Sequence, residues 1–260
     1  PTLAINYGWQ NVYGITILFM LIPFFLMIFL AKEPPDREKK SIGGYLKVLI
    51  EKDAWIFNIS YILTFGGYIG FTSFLPTLFH DQYDIPKGQM GMWAAPIILM
   101  ASVTRILGGW VADRFGGLRV MLFICAIVTV LALAAALIPS PIVMAVILFL
   151  MFCALGAGNG ATFQLVPLRW TASTAIAMSL IGEIGALGGG LIPNAMGTSR
   201  QYYGTFGYGF VLWAVIGVVI LTMYLLIKRQ WTNRWLGKGG KALTTEEYEK
   251  RKQAGLIQSS

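Results

Sequence analysis

The chain has 260 residues, 56% of them hydrophobic and only 12% charged, with a formal net charge of +8 and a mean hydropathy of +0.66. A soluble domain carries about twice that charged fraction, which excludes an ordinary water-soluble globule. The positive charge lies between apolar runs and in the tail rather than on one phosphate-binding face, which excludes nucleic acid as a partner.

Seven segments are long and apolar enough to span a bilayer, which takes about 20 residues: roughly 9–31, 54–80, 90–112, 118–138, 141–165, 174–199 and 206–228. The opening "PTLAINYGWQ" has neither an initiator Met nor a signal peptide, and reads as the middle of a longer chain. Basic residues choose the sides. The 32–53 loop, the turn near 113–119, the 166–173 loop and the tail from 228 hold 17 of the 20 lysines and arginines, whereas the alternate side has only Lys87 and Arg200. By the positive-inside rule the first set is cytoplasmic, so the N-terminus is outside and the C-terminus inside. The expected organisation is therefore a helix at 1–31, a central cytoplasmic loop at 32–53, a six-helix unit at 54–228 and a cytoplasmic tail at 229–260. In a transporter of two six-helix halves, this corresponds to the last helix of one half and all of the other; a complete seven-helix protein is the alternative. A short surface helix is expected near 41–52. The stretch "TTEEYEKRKQAG" reads equally as a capped helix or a disordered end.

Within the second span, "SYILTFGGYIGF" puts Tyr61 and Phe65 on one helix face. In the third, "ASVTRILGGW" places Arg105 inside an apolar run. An arginine at the bilayer centre costs at least about 2.5–3.5 kcal/mol, so it faces a partner or a cavity. Either an acid such as Glu183 neutralises it or it awaits an anion. Next, "GGWVADRFGGLRV" sets Asp113, Arg114, Gly116, Gly117 and Arg119 at the cytoplasmic turn, a grouping able to make charge-assisted hydrogen bonds at a helix junction. In "FCALGAGNGATFQLVP", three glycines remove bulk, Asn159 and Gln164 add hydrogen-bonding capacity, and Pro167 is expected to end or kink the helix. In "SLIGEIGALGGGLIPNAMG", Gly182, Gly185 and Gly189 share a face, which suits close helix packing or a ligand at the backbone, and Glu183 lies beside them. Cys125 and Cys153 sit in apolar runs with no metal-ligand spacing. No cofactor, metal site or nucleophile–base pair is expected, and no enzyme.

The turn "GGWVADRFGG" resembles the loop motif of the major facilitator superfamily. "YILTFGGYIGF", "TRILGGWVADRFGG" and "IGEIGALGGGLIPNAMG", in that order, resemble the seventh, eighth and eleventh helices of its nitrate/nitrite porter family. The resemblance covers nearly all of 9–228. It implies an all-α membrane fold: the C-terminal six-helix half of a major facilitator plus the last helix of the preceding half. It also implies that Arg105, Tyr61 and Phe65 bind substrate, that Gly182, Gly185 and Gly189 form the glycine signature, and that Asp113, Arg114, Gly117 and Arg119 gate the cytoplasmic side. The expected partners are nitrate, nitrite, protons, the lipid of the cytoplasmic (inner) membrane, and an N-terminal half carrying a second binding arginine. Glu183 departs from the small apolar residue found in some members; it is expected either to couple protons, with burial raising its pKa, or to form a structural ion pair. Symport and antiport both remain open. The rival functions are a carrier for another small monovalent anion, such as a monocarboxylate, and an anion channel.

Overall fold

A computed structural model describes residues 6–32 and 42–255. The charged stretch 33–41, with Arg37, Lys39 and Lys40 of the expected cytoplasmic loop, lies outside the described residues. Every regular element among the described residues is a helix: α1 (Trp9–Leu30), α2 (Ile42–Ile50), α3 (Lys52–Tyr61), a π-helical turn (Ile62–Gly66), α4 (Gly67–Tyr83), α5 (Met90–Phe115), α6 (Gly117–Ala136), α7 (Pro141–Arg169), α8 (Thr174–Tyr203), α9 (Gly207–Arg234) and α10 (Thr245–Gln253). The run α3–π–α4 is one continuous span of 32 residues, and with α1 and α5 to α9 it makes seven helices long and apolar enough to cross a membrane.

α1 has no buried residue, while α3 to α9 enclose one core. Two parallel helices, α5 and α7, form its tightest pair. A methyl group at Gly108, Gly156 or Gly160 would run into the backbone of the opposite helix, so only glycine permits the approach. This is how apolar helices gain packing energy where burial from water gives none. α8 lies equally close to the second span. A Cβ on Gly66 would fall 2.7 Å from the Gly188 Cα and 2.8 Å from the Gly185 carbonyl oxygen.

Several helices outrun the apolar segments that predict them. α5 continues to Phe115, so Asp113 and Arg114 belong to its last turn; the connection itself is Gly116 alone, at φ 97°, where a side chain would be strained. Pro167 does not end α7. It sits in the last turn, and the helix closes at Arg169. α9 runs on to Arg234 because Trp231 is wholly buried against Phe57, with rings stacked at 5.1 Å.

The tail carries a helix over Thr245–Gln253, in line with the capped-helix reading of its sequence. Thr244 and Glu247 form a reciprocal capping box at the start of α10: the Glu247 N–H donates to the Thr244 hydroxyl (3.3 Å) and the Thr244 N–H to the Glu247 carboxylate (3.2 Å). Arg251 then donates to the carbonyls of Thr232, Arg234 and Leu236 at the end of α9. The intervening loop lays the Gly240 and Gly239 carbonyls on the first turn of α6, where they accept from the Gly117 and Arg119 N–H groups, both at 3.2 Å. Those N–H groups are donors that a helix start otherwise leaves unpaired.

Candidate functional site

The second span positions the aromatic part of the site. Its π-helical turn inserts one extra residue per turn between Tyr61 and Gly67, a local widening that recurs at functional positions. Tyr61 and Phe65 still share a face. Their rings stack at 5.0 Å with an interplanar angle of 21°, and Phe163 of α7 closes on Tyr61 at 5.1 Å. Tyr61 is buried; Phe65 and Phe163 are half-buried.

Arg105 meets this aromatic stack. Its guanidinium carbon lies 5.2 Å from the centre of the Phe65 ring, within cation–π range. One terminal nitrogen, Nη2, is buried with no hydrogen-bond partner. Among the described residues Arg105 has no ion pair, and Glu183 does not neutralise it. Glu183 is exposed, and its carboxylate accepts a hydrogen bond from the Ser179 hydroxyl at 2.9 Å. The expected burial of Glu183 is therefore corrected. Its position on α8 points away from the core face, which carries Ile181, Gly185, Gly188 and Gly189.

The glycine signature divides. Gly185 packs directly against the Tyr61 ring, and a Cβ on Gly189 would fall 2.6 Å from the Ile69 side chain. Both positions are spent on helix contact. Gly182 has nothing within 4 Å of where a Cβ would lie, and it is the open end of the strip. The contact face is 185, 188 and 189 rather than 182, 185 and 189, since a Cβ on Gly188 would fall 2.8 Å from the Ile62 side chain.

At the turn between α5 and α6, the three charges of the motif make no ion pair with one another among the described residues. Asp113, Arg114 and Arg119 are exposed, and the Arg114 guanidinium lies 5.7 Å from the Trp110 ring centre. The glycines carry the tertiary contact. A side chain on Gly117 would strike Gln164 and Leu165, and the Gly116–Gly117 backbone receives the tail loop.

A second cluster, at the same end of the helices, escapes the sequence reading. Arg169, counted there only as a topology charge, bonds Asp53 at 2.6 Å through Nε and Glu51 through Nη2. Trp170 Nε1 donates to Glu51 at 3.2 Å and Trp231 Nε1 to Asp53 at 2.8 Å. Two carboxylates thus join the ends of α3, α7 and α9. The signal available in sequence was a pair of acids among basic loop residues, but their partners lie more than a hundred positions away.

Comparison with known proteins follows the same lines. The chain is 24% identical over 235 residues to the nitrite extrusion protein of Bacillus subtilis, a match covering 90% of this chain and 59% of that one. It is 29% identical to a probable nitrate transporter, NarT, of Staphylococcus epidermidis, covering 88% and 60%. It is 31% identical over 179 residues to a probable nitrate/nitrite transporter, NarK2, of Mycobacterium tuberculosis, covering 68% and 45%. The chain therefore spans about three fifths of the length of the first two relatives. These similarities bear out the resemblance drawn from the three helix motifs. With residues 1–193 matching the Major Facilitator Superfamily profile and seven apolar helices in an all-helical fold, the chain is a multi-pass membrane protein that belongs to that superfamily of transporters.

Proposed function

We propose that this chain is the C-terminal part of a secondary transporter for nitrate and nitrite, working by alternating access across the cytoplasmic membrane with its C-terminus inside. The observation that carries the reading is the Arg105 guanidinium, which sits against Phe65 with Nη2 buried and unpaired. A cation–π contact returns about 0.5–2 kcal/mol, whereas a mid-membrane arginine costs at least about 2.5–3.5 kcal/mol. The aromatic ring leaves a shortfall that a bound anion fills.

Nitrate suits the place. It is flat, trigonal and singly charged. The guanidinium fork is flat, permanently charged and able to donate two parallel hydrogen bonds. Phe65 and Tyr61 offer ring surface to a weakly hydrated anion, and sulfate or phosphate would bring excess charge and tetrahedral bulk. Nitrite presents two oxygens to the same fork. The relatives named for nitrate and nitrite transport support the substrate class, and the placement of basic residues supports the orientation. The other wall of the cavity comes from an N-terminal half, and binding of the anion lets the two halves rock across it. Asp113, Arg114, Gly117 and Arg119 form the hinge of the cytoplasmic gate.

Glu183, held by Ser179, is the protonatable group of the cycle. Glu183→Gln removes the response of uptake to a pH gradient; an unchanged response takes Glu183 out of the cycle.

The test is flux of labelled nitrate into liposomes carrying the full-length transporter. Saturable uptake that nitrite inhibits, and that Arg105→Lys sharply weakens, is the expected result. Continuous conductance, or stronger inhibition by formate than by nitrite, overturns it.

A further inference from the structure

Asn159 lies on α7, 1% exposed, and its Oδ1 has no hydrogen-bond partner. A buried amide left unpaired costs about 1–3 kcal/mol, so its direction matters. α7 faces α5 through Gly156 and Gly160, whose missing side chains admit the Ala101 and Arg105 carbonyls. It faces the second span through Leu155, against Gly67, and Gly158, against Thr64. At about 100° per residue, Asn159 falls between these two faces, about 60° from Gly156 and about 40° from Leu155.

The same construction applies to α5. Its contact with α7 runs through Gly108, and its contact with the second span through Ser102, whose hydroxyl lies 3.5 Å from that of Tyr68. Arg105 falls about 60° from each. Arg105 and Asn159 therefore look into one three-sided wedge formed by α5, α7 and the second span. Phe65 and Phe163 contribute its rings. The packing of Gly160 on the Arg105 carbonyl sets the two residues at the same depth. Both carry a buried, unpaired polar atom, and nothing else among the described residues satisfies either.

We propose that Asn159 is a specificity-determining residue of the anion site, reading the third oxygen of a trigonal anion whose other two oxygens face the Arg105 fork. The inference rests on the nitrate/nitrite reading of the site. A half-turn of the side-chain amide exchanges its oxygen and nitrogen, so the amide can present an N–H to an acceptor anion. Nitrate has a third oxygen to receive it. Nitrite, with two oxygens, spends both on the guanidinium and offers the amide only its nitrogen lone pair, a weaker acceptor set farther back by the missing N–O bond. Asn159 thus sets the preference between the two anions rather than the affinity for anions in general.

The experiment measures apparent affinities for nitrate and for nitrite in the reconstituted full-length transporter, for wild type, Asn159→Ala and Asn159→Ser. Losing one charge-assisted hydrogen bond weakens nitrate binding about tenfold or more. Nitrite binding is expected to change by less than about threefold, since its two acceptors stay on the arginine fork. Asn159→Ser, which keeps a hydroxyl donor, recovers part of the nitrate affinity. Both anions are read in the same preparation, so a poorly folding variant lowers the amount of site without moving the ratio. Equal losses for both anions, or none for either, overturn the assignment while leaving Arg105 as the anion site. A wild-type protein that binds neither anion removes the proposed function, and this inference with it.

Discussion

Gly66→Ala is the sharpest test of how the site is held together. In a free helix the change stabilises by about 1 kcal/mol, because alanine is the better helix former, and Gly66 already has helical dihedrals. Here the new methyl carbon would stand 2.7 Å from the Gly188 Cα, 2.8 Å from the Gly185 carbonyl oxygen and 3.0 Å from the Gly188 carbonyl carbon. Ordinary carbon contacts lie near 3.5–4.0 Å. All three neighbours are backbone, so no rotamer change relieves the overlap, and α8 must shift by a substantial fraction of an ångström along its contact with the second span. Overpacking of this kind costs about 1–3 kcal/mol. Set against the propensity gain, the net expectation is a loss of roughly 0–2 kcal/mol, which is about 1–3 kcal/mol, or about 2–12 °C in Tm at the 2–4 °C per kcal/mol of a chain this size, below a variant that keeps the propensity gain without the overlap. Gly190→Ala, with nothing within 4 Å of the added carbon, is the matched control on the same helix. Thermal unfolding in detergent, followed by a thiol-reactive dye or by monodispersity, reads both variants. A Gly66→Ala protein as stable as the Gly190→Ala protein would refute the account of α8 as a helix held by direct backbone contact.

Other outcomes follow from the helix ends that the tail joins. Arg169→Ala leaves two part-buried carboxylates without their cation and costs about 1–3 kcal/mol, seen as a lower Tm; the double variant with Asp53→Asn loses less than the sum of the two single changes, which a double-mutant cycle detects. Arg251→Ala removes three hydrogen bonds to the end of α9, and limited trypsin digestion should then cut at Lys238 and Lys241 faster than in the wild type. Gly239→Val, at φ 81° and against the Arg119 side chain, should free the same loop while α10 itself stays helical by circular dichroism.

Much of the fold is legible in the sequence because the bilayer imposes one rule: backbone groups must be satisfied within a helix. Hydropathy alone therefore locates all seven spans, and the i, i+4 spacing of Tyr61 and Phe65 predicts a shared face that the structure fills with stacked rings. What periodicity does not reveal is where a helix goes after the lipid ends. α9 continues to Arg234 because Trp231 finds Phe57 and Asp53, partners from far along the chain. The π-helical turn has no local mark either, since it is set by the seating of Ile62 and Gly66 on Gly188. The glycine strip shows the same limit: helical spacing singles out 182, 185 and 189, whereas the contact of α8 with the second span selects 185, 188 and 189. Asn159 is visible as a polar residue in an apolar run, but its aim into the Arg105 wedge depends on which glycines face which neighbour.

The contacts also bear on how the molecule moves. Rocking transport needs a half that turns as a unit, and rigidity here is concentrated at two levels. At the level of Arg105, glycine contacts lock α5 to α7 and α8 to the second span, leaving little freedom for Arg105, Phe65 and Tyr61 to rearrange. At the end that carries the tail, Glu51 and Asp53 tie α3 to α7 and α9 through Arg169, Trp170 and Trp231, while the tail loop caps α6 with the Gly239 and Gly240 carbonyls. The first of those levels holds a cation whose aromatic neighbour offsets only part of its insertion cost. In the proposed cycle, an anion that covers the remainder would not need to bend this half to be carried. It would need only to make the charged site acceptable to the opposite wall as the two surfaces close, so the pairing proposed to select a flat monovalent anion would also permit the rocking step.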